Sequence, residues 1–450
     1  MRQLIAETIA SFALDDYRPI VARELDLGQP FVPRIGNLVK VVTGMRRSGK
    51  SYRLLQEIDR LMTVGVPADR ICYFNFEDDR LAPVTPETGD EVLDAFFTLS
   101  PRAMAEGCYL FFDEVQEMSS WGAWLRRVVD TTKATIYVSG SSSKMLSREI
   151  STEFRGRALD FELLPYSFGE YASVALADFG TKWVYPTREE RIVLASALRD
   201  YLERGGFPAT VGLPQPHATM LLQSYVERVV SRDVVERHDL ARPRVATALA
   251  RRALGTNAKP LSLRRVEADL RSLGLPTSRQ TLADILEYLE EAYLVFRVGG
   301  FSYALAEGTT SMPKVYAVDP GIALANAKAN SNELGQRLED AVYLELRRRH
   351  QGMRRDAICS YVTKGHGWEV DFVVGDALEQ QPYEFVQVSA DVSDERTRSR
   401  ELRALWEAME EAGLRESTLV VLDGLEEKHE RNGMLVRQVP AWRWLLGASR

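Results

Sequence analysis

Short apolar runs alternate with amphipathic segments through the first third of the chain. The runs are rich in β-branched and aromatic residues, which predicts strands, and the helical periodicity between them predicts helices. Alternation of this kind is typical of an α/β domain whose parallel sheet is covered on both faces. The predicted strands are Leu38–Thr43, Ile71–Phe76, Cys108–Phe112, Ala134–Ser139 and Leu159–Leu163.

The pattern changes after Pro165. Helical periodicity runs from Tyr166 to about Glu236, shorter helices follow, and the segment Tyr293–Tyr303 has the pattern of a β-hairpin. Helices followed by a hairpin predict a winged helix. Strand–helix alternation returns at Gly335. The predicted domains are an α/β core over residues 1–165, a helical lid over 166–236, a winged-helix-like domain over 237–325 and a second α/β domain over 326–450.

The composition is that of an ordinary globular protein, with 45% hydrophobic and 27% charged residues. Three cysteines lie inside apolar runs without the spacing of a metal or redox motif, which favours a reducing compartment. No apolar stretch is long enough to span a membrane, and the first residues lack the pattern of a signal peptide. We therefore expect a cytoplasmic protein.

The charge is unevenly distributed along the chain. A net charge of −7 at pH 7 argues against a protein that coats nucleic acid indiscriminately. Between Arg228 and Arg279, however, twelve Lys or Arg residues stand against five Asp or Glu residues. This local excess favours a positioned contact with nucleic-acid phosphates, although a solvated helical face explains it equally well.

The first predicted strand runs into the pattern G-x-x-x-x-G-K-S, from Gly44 to Ser51. In such a loop the glycines let the backbone turn around phosphates, the lysine reaches the β- and γ-phosphates, and the serine hydroxyl is a ligand of Mg²⁺. The helix that follows directs its N-terminal dipole at the same charge. We therefore predict that the chain binds ATP and Mg²⁺. The predicted cofactor-binding residues are Gly44, Met45, Arg46, Arg47, Ser48, Gly49, Lys50, Ser51 and Tyr52.

Candidate catalytic groups follow the first, third and fourth predicted strands, and one more precedes the fifth. Asp113 is predicted to hold Mg²⁺ together with Ser51, and Glu114 to accept a proton from the attacking water. Ser141 is the candidate for a group that senses the γ-phosphate, the alternative being a serine-rich turn that caps a helix. Arg157 is the candidate for an arginine that stabilises phosphoryl-transfer charge, the alternative being a surface ion pair. The predicted catalytic residues are Glu114, Lys50, Arg157 and Ser141.

These motifs resemble an AAA+ ATPase. More narrowly, the segments 43–51, 112–116, 139–142 and 205–208 resemble a large family of poorly characterised prokaryotic, archaeal-type AAA+ ATPases that carry a C-terminal region of unknown function. The resemblance implies a homo-oligomeric ring, a hexamer, in which Arg157 acts on the nucleotide of the neighbouring subunit.

The second α/β domain resembles the restriction-endonuclease-like fold. The active form of that fold needs a helix acid, a strand Asp and a Glu-x-Lys, because the acids hold a metal ion and the lysine polarises water. Glu339 and Asp371 fit the two acids, but Gln387 replaces the third carboxylate and Ser389 replaces the lysine. We therefore expect a degenerate site that binds without cutting, unless a residue of the next helix stands in. The candidates for that substitution are Arg398, Arg400 and Glu401.

The favoured function is an ATP-driven motor on duplex or branched DNA, such as a migrating Holliday junction. One alternative is a signalling or defence switch in which the nucleotide controls a protein partner, and another is an ATP-dependent nuclease. Trp121 and Trp124 would stack on bases or line a pore in some of these functions, but at helical spacing such residues are more often part of a core.

Overall fold

The computed structural model describes residues 1–141, 156–176, 186–301, 312–327, 334–352, 357–376 and 379–447. The chain divides into two compact units, Met1–Leu163 and Leu164–Arg450. No helix among these described residues is long and apolar enough to cross a membrane.

The first unit contains a parallel sheet of five strands in the order β2-β3-β4-β1-β5. The predicted α/β class is confirmed, and each strand lies within about one residue of its predicted bounds. The strands are β1 (Val39–Thr43), β2 (Ile71–Asn75), β3 (Cys108–Asp113), β4 (Ala134–Gly140) and β5 (Ala158–Glu162). The helices are α1 (Arg2–Ala10), α2 (Lys50–Thr63), α3 (Pro86–Leu99), α4 (Pro101–Glu106) and α5 (Trp121–Thr131).

Alternate residues of the central strands supply two apolar layers, one on each face of the sheet. Val39 and Val41 of β1 belong to the layer that contains α3 and α5, whereas Val42 belongs to the layer that contains α2. Trp121 and Trp124 are 6% and 2% exposed and lie in the first layer. The interpretation of both tryptophans as core residues is therefore confirmed, and the alternative that they stack on bases or line a pore is wrong.

The second unit begins with helices and a small sheet. The helices are α6 (Phe168–Ala175), α7 (Arg188–Arg204), α8 (Gln215–Arg228), a π-helix (Val229–Glu236), α9 (Pro243–Leu254), α10 (Leu263–Ser272) and α11 (Arg279–Glu291). Three short strands, β6 (Lys259–Pro260), β7 (Val295–Val298) and β8 (Lys314–Ala317), form an antiparallel sheet in the order β6-β8-β7. The chain continues into α12 (Pro320–Asn326).

The predicted hairpin over Tyr293–Tyr303 is wrong in its second strand. Val295 pairs with Ala317 and Val298 with Lys314, so the partner of β7 comes after residues 302–311, which lie outside the described ranges. The Gly299-Gly300 pair indicated a tight turn locally, but the pairing of β7 is decided by a strand further along the chain.

The rest of the second unit is a six-stranded mixed sheet in the order β13-β14-β12-β11-β10-β9. Its helices are α13 (Leu334–Arg349), α14 (Glu395–Ala412) and α15 (Ala441–Leu445). Strand β11 pairs antiparallel with β10 and parallel with β12. The strands are β9 (Ile358–Val362), β10 (Glu369–Asp376), β11 (Gln381–Asp391), β12 (Glu416–Asp423), β13 (Glu427–Arg431) and β14 (Met434–Pro440).

Asp319 fastens the turn after α7 to the start of α12. Its side chain is buried and accepts hydrogen bonds from the backbone N–H groups of Gly206 (2.6 Å) and Ile322 (3.0 Å). Neither neighbouring glycine tolerates a side chain here: a Cβ on Gly205 would lie 1.9 Å from Asp319 Oδ1, and a Cβ on Gly321 would lie 2.4 Å from the backbone of Arg204. The Gly205-Gly206 motif is therefore explained by close packing.

Gly205→Ala is expected to destabilise the protein well beyond the backbone penalty for its positive φ. Gly212 is the matched control, because its φ of +79° is close to the +77° of Gly205 and nothing lies within 4 Å of its Cβ position. Gly212→Ala should cost about 1–2 kcal/mol of unfolding free energy. Gly205→Ala should cost clearly more, as measured by denaturant unfolding. Equal losses in the two variants would contradict the packing explanation.

Candidate nucleotide-binding site

The predicted phosphate-binding loop follows β1 and has the strained backbone that its glycines permit. Gly44 has φ +154°, and a Cβ there would lie 2.1 Å from the carbonyl oxygen of Leu163. Gly49 has φ +101° and is the N-cap of α2. Arg47 also has a positive φ, of 70°, and is exposed. The loop thus turns tightly enough for its backbone to approach a bound group closely.

The first turn of α2 fits a phosphate. Its N-cap is Gly49, which has no side chain to accept from the N–H groups at the start of the helix. Lys50 is 3% exposed and its ammonium lies 3.3 Å from the carbonyl oxygen of Met45 and 3.3 Å from Glu114 Oε1. Uncapped backbone donors next to a buried ammonium form an anion site, so the residues present suit the phosphates of a nucleotide.

Asp113 ends β3 in a fully buried position. Its carboxylate accepts hydrogen bonds from the Tyr73 hydroxyl at 2.8 Å and from the Ser139 hydroxyl. Burial and then the charge of Glu114 raise the pKa of Asp113, although the hydroxyls of Ser139, Ser51 and Tyr73 act in the opposite direction. A buried carboxylate next to the Ser51 hydroxyl suits Mg²⁺, which prefers oxygen ligands and would favour the ionised form.

Glu114 adopts a left-handed backbone conformation, with φ +50°. Burial by itself would raise its pKa, but the Lys50 ammonium, the Gln116 amide and Arg46 outweigh burial and hold the pKa of Glu114 below its usual value. The carboxylate is therefore ionised at neutral pH. An ionised carboxylate in this position is able to accept a proton, as a general base does.

Gln116 connects Glu114 to Ser141. Its side-chain amide donates to Glu114 Oε2 at 2.5 Å and to the Ser141 hydroxyl at 3.3 Å. The structure thus brings Ser141 next to the predicted base through one intervening side chain. Ser142 and Ser143 lie outside the described residues.

Sequence reasoning missed three residues of this site: Tyr73, Gln116 and Ser139. Gln116 lies two positions after Glu114, so its spacing was a usable signal. Tyr73 lies on β2 and Ser139 on β4, the two neighbours of β3, and only the sheet order brings them to Asp113.

Arg46 contacts two carboxylates at the same edge of the sheet. Its guanidinium lies 2.7 Å from Glu77 Oε1 and 3.1 Å from Glu117 Oε1. Tyr52, one turn into α2, is exposed. The predicted cofactor-binding segment therefore contains both buried and exposed side chains. Its backbone and Lys50 are the parts that converge on the anion site.

Arg157 lies away from this cluster. It precedes β5, and its carbonyl accepts from the N–H of Val39 at 2.9 Å, at the amino end of the parallel strands. Gly44 follows the carboxyl end of β1, about 17 Å away along the strand. The Arg157 side chain is 49% exposed and forms an ion pair with Asp130 at 2.5 Å. Phe154 and Arg155, which precede it, lie outside the described residues.

The four predicted nuclease-like residues lie on three elements of the second unit. Glu339 is on α13, Asp371 on β10, and Gln387 and Ser389 on β11. Ser389 donates to the carbonyl oxygen of Asp391 at 3.1 Å. On α14, Arg398 pairs with Glu395, and Arg400 pairs with Glu401 at 2.6 Å. Both arginines are thus paired with carboxylates of their own helix.

Ser139→Ala is expected to destabilise the first unit by about 1–3 kcal/mol, because it leaves two buried groups without their partner. The Ser139 hydroxyl donates to Asp113 and accepts from the N–H of Glu114 at 3.0 Å. Thermal unfolding measures the loss. Ser119→Ala, at an exposed serine of the same unit, is the control and should change stability little. A loss no larger than that of the control would contradict the buried network.

Comparison with known proteins places this geometry in a family. Residues 36–172, which include all five strands of the first sheet, match the model of the AAA domain, and residues 195–333 match that of a domain of unknown function. The uncharacterized protein MJ1544 of Methanocaldococcus jannaschii is 32% identical over 418 residues, which cover 92% of this chain and 89% of that protein. The chain belongs to the MJ1544 family.

Two further matches have lower sequence identity to this MJ1544-family chain. An uncharacterized protein of Haemophilus influenzae is 25% identical over 377 residues, covering 84% of the chain and 88% of that protein. A solved structure of a Walker-type ATPase from Pyrococcus abyssi is similar with a TM-score of 0.41 and 17% identity, covering 64% of the chain and 90% of that structure. The AAA domain match and the loop geometry together support an AAA-type ATPase.

Proposed function

We propose that this MJ1544-family chain hydrolyses ATP with Mg²⁺ as one subunit of a homo-oligomeric ring. Lys50 and the loop backbone hold the phosphates, Ser51 and Asp113 hold the metal ion, and Glu114 takes the proton of the attacking water. Mg²⁺ bound there would neutralise phosphate charge. The observation that carries the proposal is the position of Glu114, which has a left-handed backbone, lies 3.3 Å from the Lys50 ammonium and directly follows the buried Asp113.

The position of Arg157 supports a site shared between subunits. Arg157 lies at the amino end of β5, whereas the phosphate-binding loop lies at the carboxyl end of β1. An arginine side chain cannot span the roughly 17 Å between these two edges. We propose that Arg157, which is too far from the loop of its own subunit, serves the nucleotide of an adjacent subunit, and a hexamer is the ring that the family resemblance favours.

Nucleic acid is the proposed substrate of the motor. The element order α9-β6-α10-α11-β7-β8 supports a winged helix. The acidic residues of α11 would repel phosphate, but one of them, Glu290, is neutralised by an ion pair with Arg297 at 2.6 Å. The first residue of α11 is basic, Arg279.

Exposed arginines of the same module are available for phosphate contacts. Arg264 and Arg265 lie in the first turn of α10, and both are exposed. Phosphate contacts made by such side chains position a protein on DNA without reading its sequence, which suits a motor. We propose that this surface holds duplex or branched DNA, including four-way junctions, while the ATPase sites turn over.

Charge reversal tests the DNA surface. The double variant Arg264→Glu/Arg265→Glu should lower DNA affinity by at least about tenfold and reduce the slope of log affinity against log salt by about two. DNA-stimulated ATPase should fall with it, while basal ATPase stays unchanged. The measurements are fluorescence anisotropy over a salt series and ATPase rates with single-stranded, duplex, forked and four-way DNA.

The matched control is Arg188→Glu/Arg191→Glu, which reverses two exposed arginines at the start of α7. Its DNA affinity should remain that of the wild type. DNA binding or stimulation that survives the Arg264/Arg265 reversal unchanged would count against this surface. ATPase activity that no form of DNA alters would count against a DNA substrate altogether.

A further inference from the structure

An ammonium group lies at the centre of the nuclease-like carboxylate cluster. Lys314 Nζ is 3.1 Å from Glu339 Oε1, 2.6 Å from Glu369 Oε1 and 3.5 Å from Asp371 Oδ1. Glu339 comes from α13, and Glu369 and Asp371 come from β10. In the restriction-endonuclease-like fold that this domain resembles, such acids hold a metal ion. Here a lysine ammonium lies among them.

Lys314 belongs to β8, a strand outside the six-stranded sheet that carries Glu369 and Asp371. Its side chain is 9% exposed. Tyr316, two residues along the same strand and so on the same face, donates its hydroxyl to Glu339 Oε1 at 2.7 Å. Two side chains of β8 thus engage Glu339, which makes the contact specific to this face of the strand.

Both polar atoms of the Gln387 amide are hydrogen-bonded within the protein. Its oxygen accepts from the N–H of Asp371 at 3.0 Å, and its nitrogen donates to Glu401 Oε2 at 2.7 Å. The second oxygen of Asp371 accepts from the N–H of Val388 at 2.9 Å. Gln387 therefore connects β10 to α14, which is a structural role for the residue that replaces the third carboxylate.

We propose that the ammonium of Lys314 is the built-in cation of this cluster, replacing a divalent metal ion and fastening β8 to α13 and β10. Within the described ranges, no group of three or more His, Cys, Asp or Glu side chains is arranged to hold a metal ion. An ammonium held 2.6–3.5 Å from three carboxylates excludes a second cation by repulsion.

The three acids should be able to bind a metal ion once the lysine ammonium is removed. Substitution of Lys314 by a neutral side chain of similar length would leave Glu339, Glu369 and Asp371 without a cation. Carboxylate oxygens are ligands that bind hard divalent ions. Lys314→Met should therefore acquire a site that the wild type does not have. The inference does not depend on the proposed ATPase function, because neither ATP nor DNA takes part.

The test is a titration of metal-stripped full-length protein with Mn²⁺ in the absence of nucleotide. Binding is measured by calorimetry or from the paramagnetic signal of free Mn²⁺. Lys314→Met should bind one more Mn²⁺ per chain than the wild type, at least about tenfold more tightly than any wild-type site involving these acids. Lys314→Met/Asp371→Asn should lose the added site. Lys259→Met, at an exposed lysine of β6, is the matched control and should bind Mn²⁺ as the wild type does.

Two results would overturn the proposal. In the first, the wild type binds Mn²⁺ or cleaves DNA with Mn²⁺, and Asp371→Asn abolishes that binding or cleavage. In the second, Lys314→Met folds but binds no additional Mn²⁺. If Lys314→Met does not fold, the double variant Lys314→Met/Glu339→Gln provides a second test. It removes one negative charge together with the positive one and should be more stable than Lys314→Met. Failure of that recovery would contradict the role of Lys314 as counter-ion.

Discussion

Glu114→Gln is expected to bind ATP with near wild-type affinity and to hydrolyse it about 10²–10⁴-fold more slowly, the contribution typical of a general base. Glutamine keeps the size and hydrogen-bonding shape of the side chain but cannot accept the proton of water. Because the pKa of Glu114 is held below its usual value, the wild-type carboxylate is ionised at neutral pH and its loss removes a working base. Equilibrium binding of labelled ATP and single-turnover hydrolysis separate the two effects.

Glu106→Gln is the matched control for this variant. Glu106 lies at the end of α4 in the same unit and forms an exposed ion pair with Arg102 at 2.9 Å. Its neutralisation should leave both ATP affinity and turnover unchanged. Normal hydrolysis by Glu114→Gln would show that another group is the base.

Lys50→Ala is expected to weaken ATP binding by at least about 30-fold, since removing one partner of a buried charge pair costs about 2–5 kcal/mol. The Lys50 ammonium is the buried cation between the loop backbone and Glu114. Without it, the phosphates would meet the negative charges of Glu114 and Asp113 with one compensating cation fewer. Isothermal titration with a non-hydrolysable ATP analogue and Mg²⁺ measures the change.

Lys133→Ala removes an exposed lysine of the same unit and should leave nucleotide affinity unchanged. Lys50→Ala with wild-type affinity would contradict the assignment of the phosphate site.

The first sheet was predictable because its signals are local. Each strand is a short apolar run, and each motif follows its strand directly, so the segments from Gly44 to Ser51 and from Asp113 to Glu114 needed no knowledge of long-range pairing. The α/β class of the C-terminal region was predictable for the same reason. The last two strands were missed because Glu427–Arg431 is wholly polar and polar residues interrupt the apolar pattern of Met434–Pro440.

What the sequence did not predict depends on contacts between distant segments. Tyr73 and Ser139 reach Asp113 only because β2 and β4 flank β3. Lys314 reaches Asp371 only because β8 lies against the acids of another sheet, and its sequence context marks it as an ordinary strand residue. The failed hairpin at Gly299 has the same cause, since strand pairing is decided beyond the local turn.

The most direct test of a hydrolytic site shared between subunits is a mixing experiment with two inactive variants. Arg157→Ala keeps Glu114, and Glu114→Gln keeps Arg157, so each should be nearly inactive alone. In a mixed ring, the Glu114 of one subunit would meet the Arg157 of the other, and ATPase activity should reappear at an equimolar ratio. An Arg157→Ala protein that is active alone, or a mixture that stays as inactive as its components although the two proteins co-assemble, would contradict the shared site.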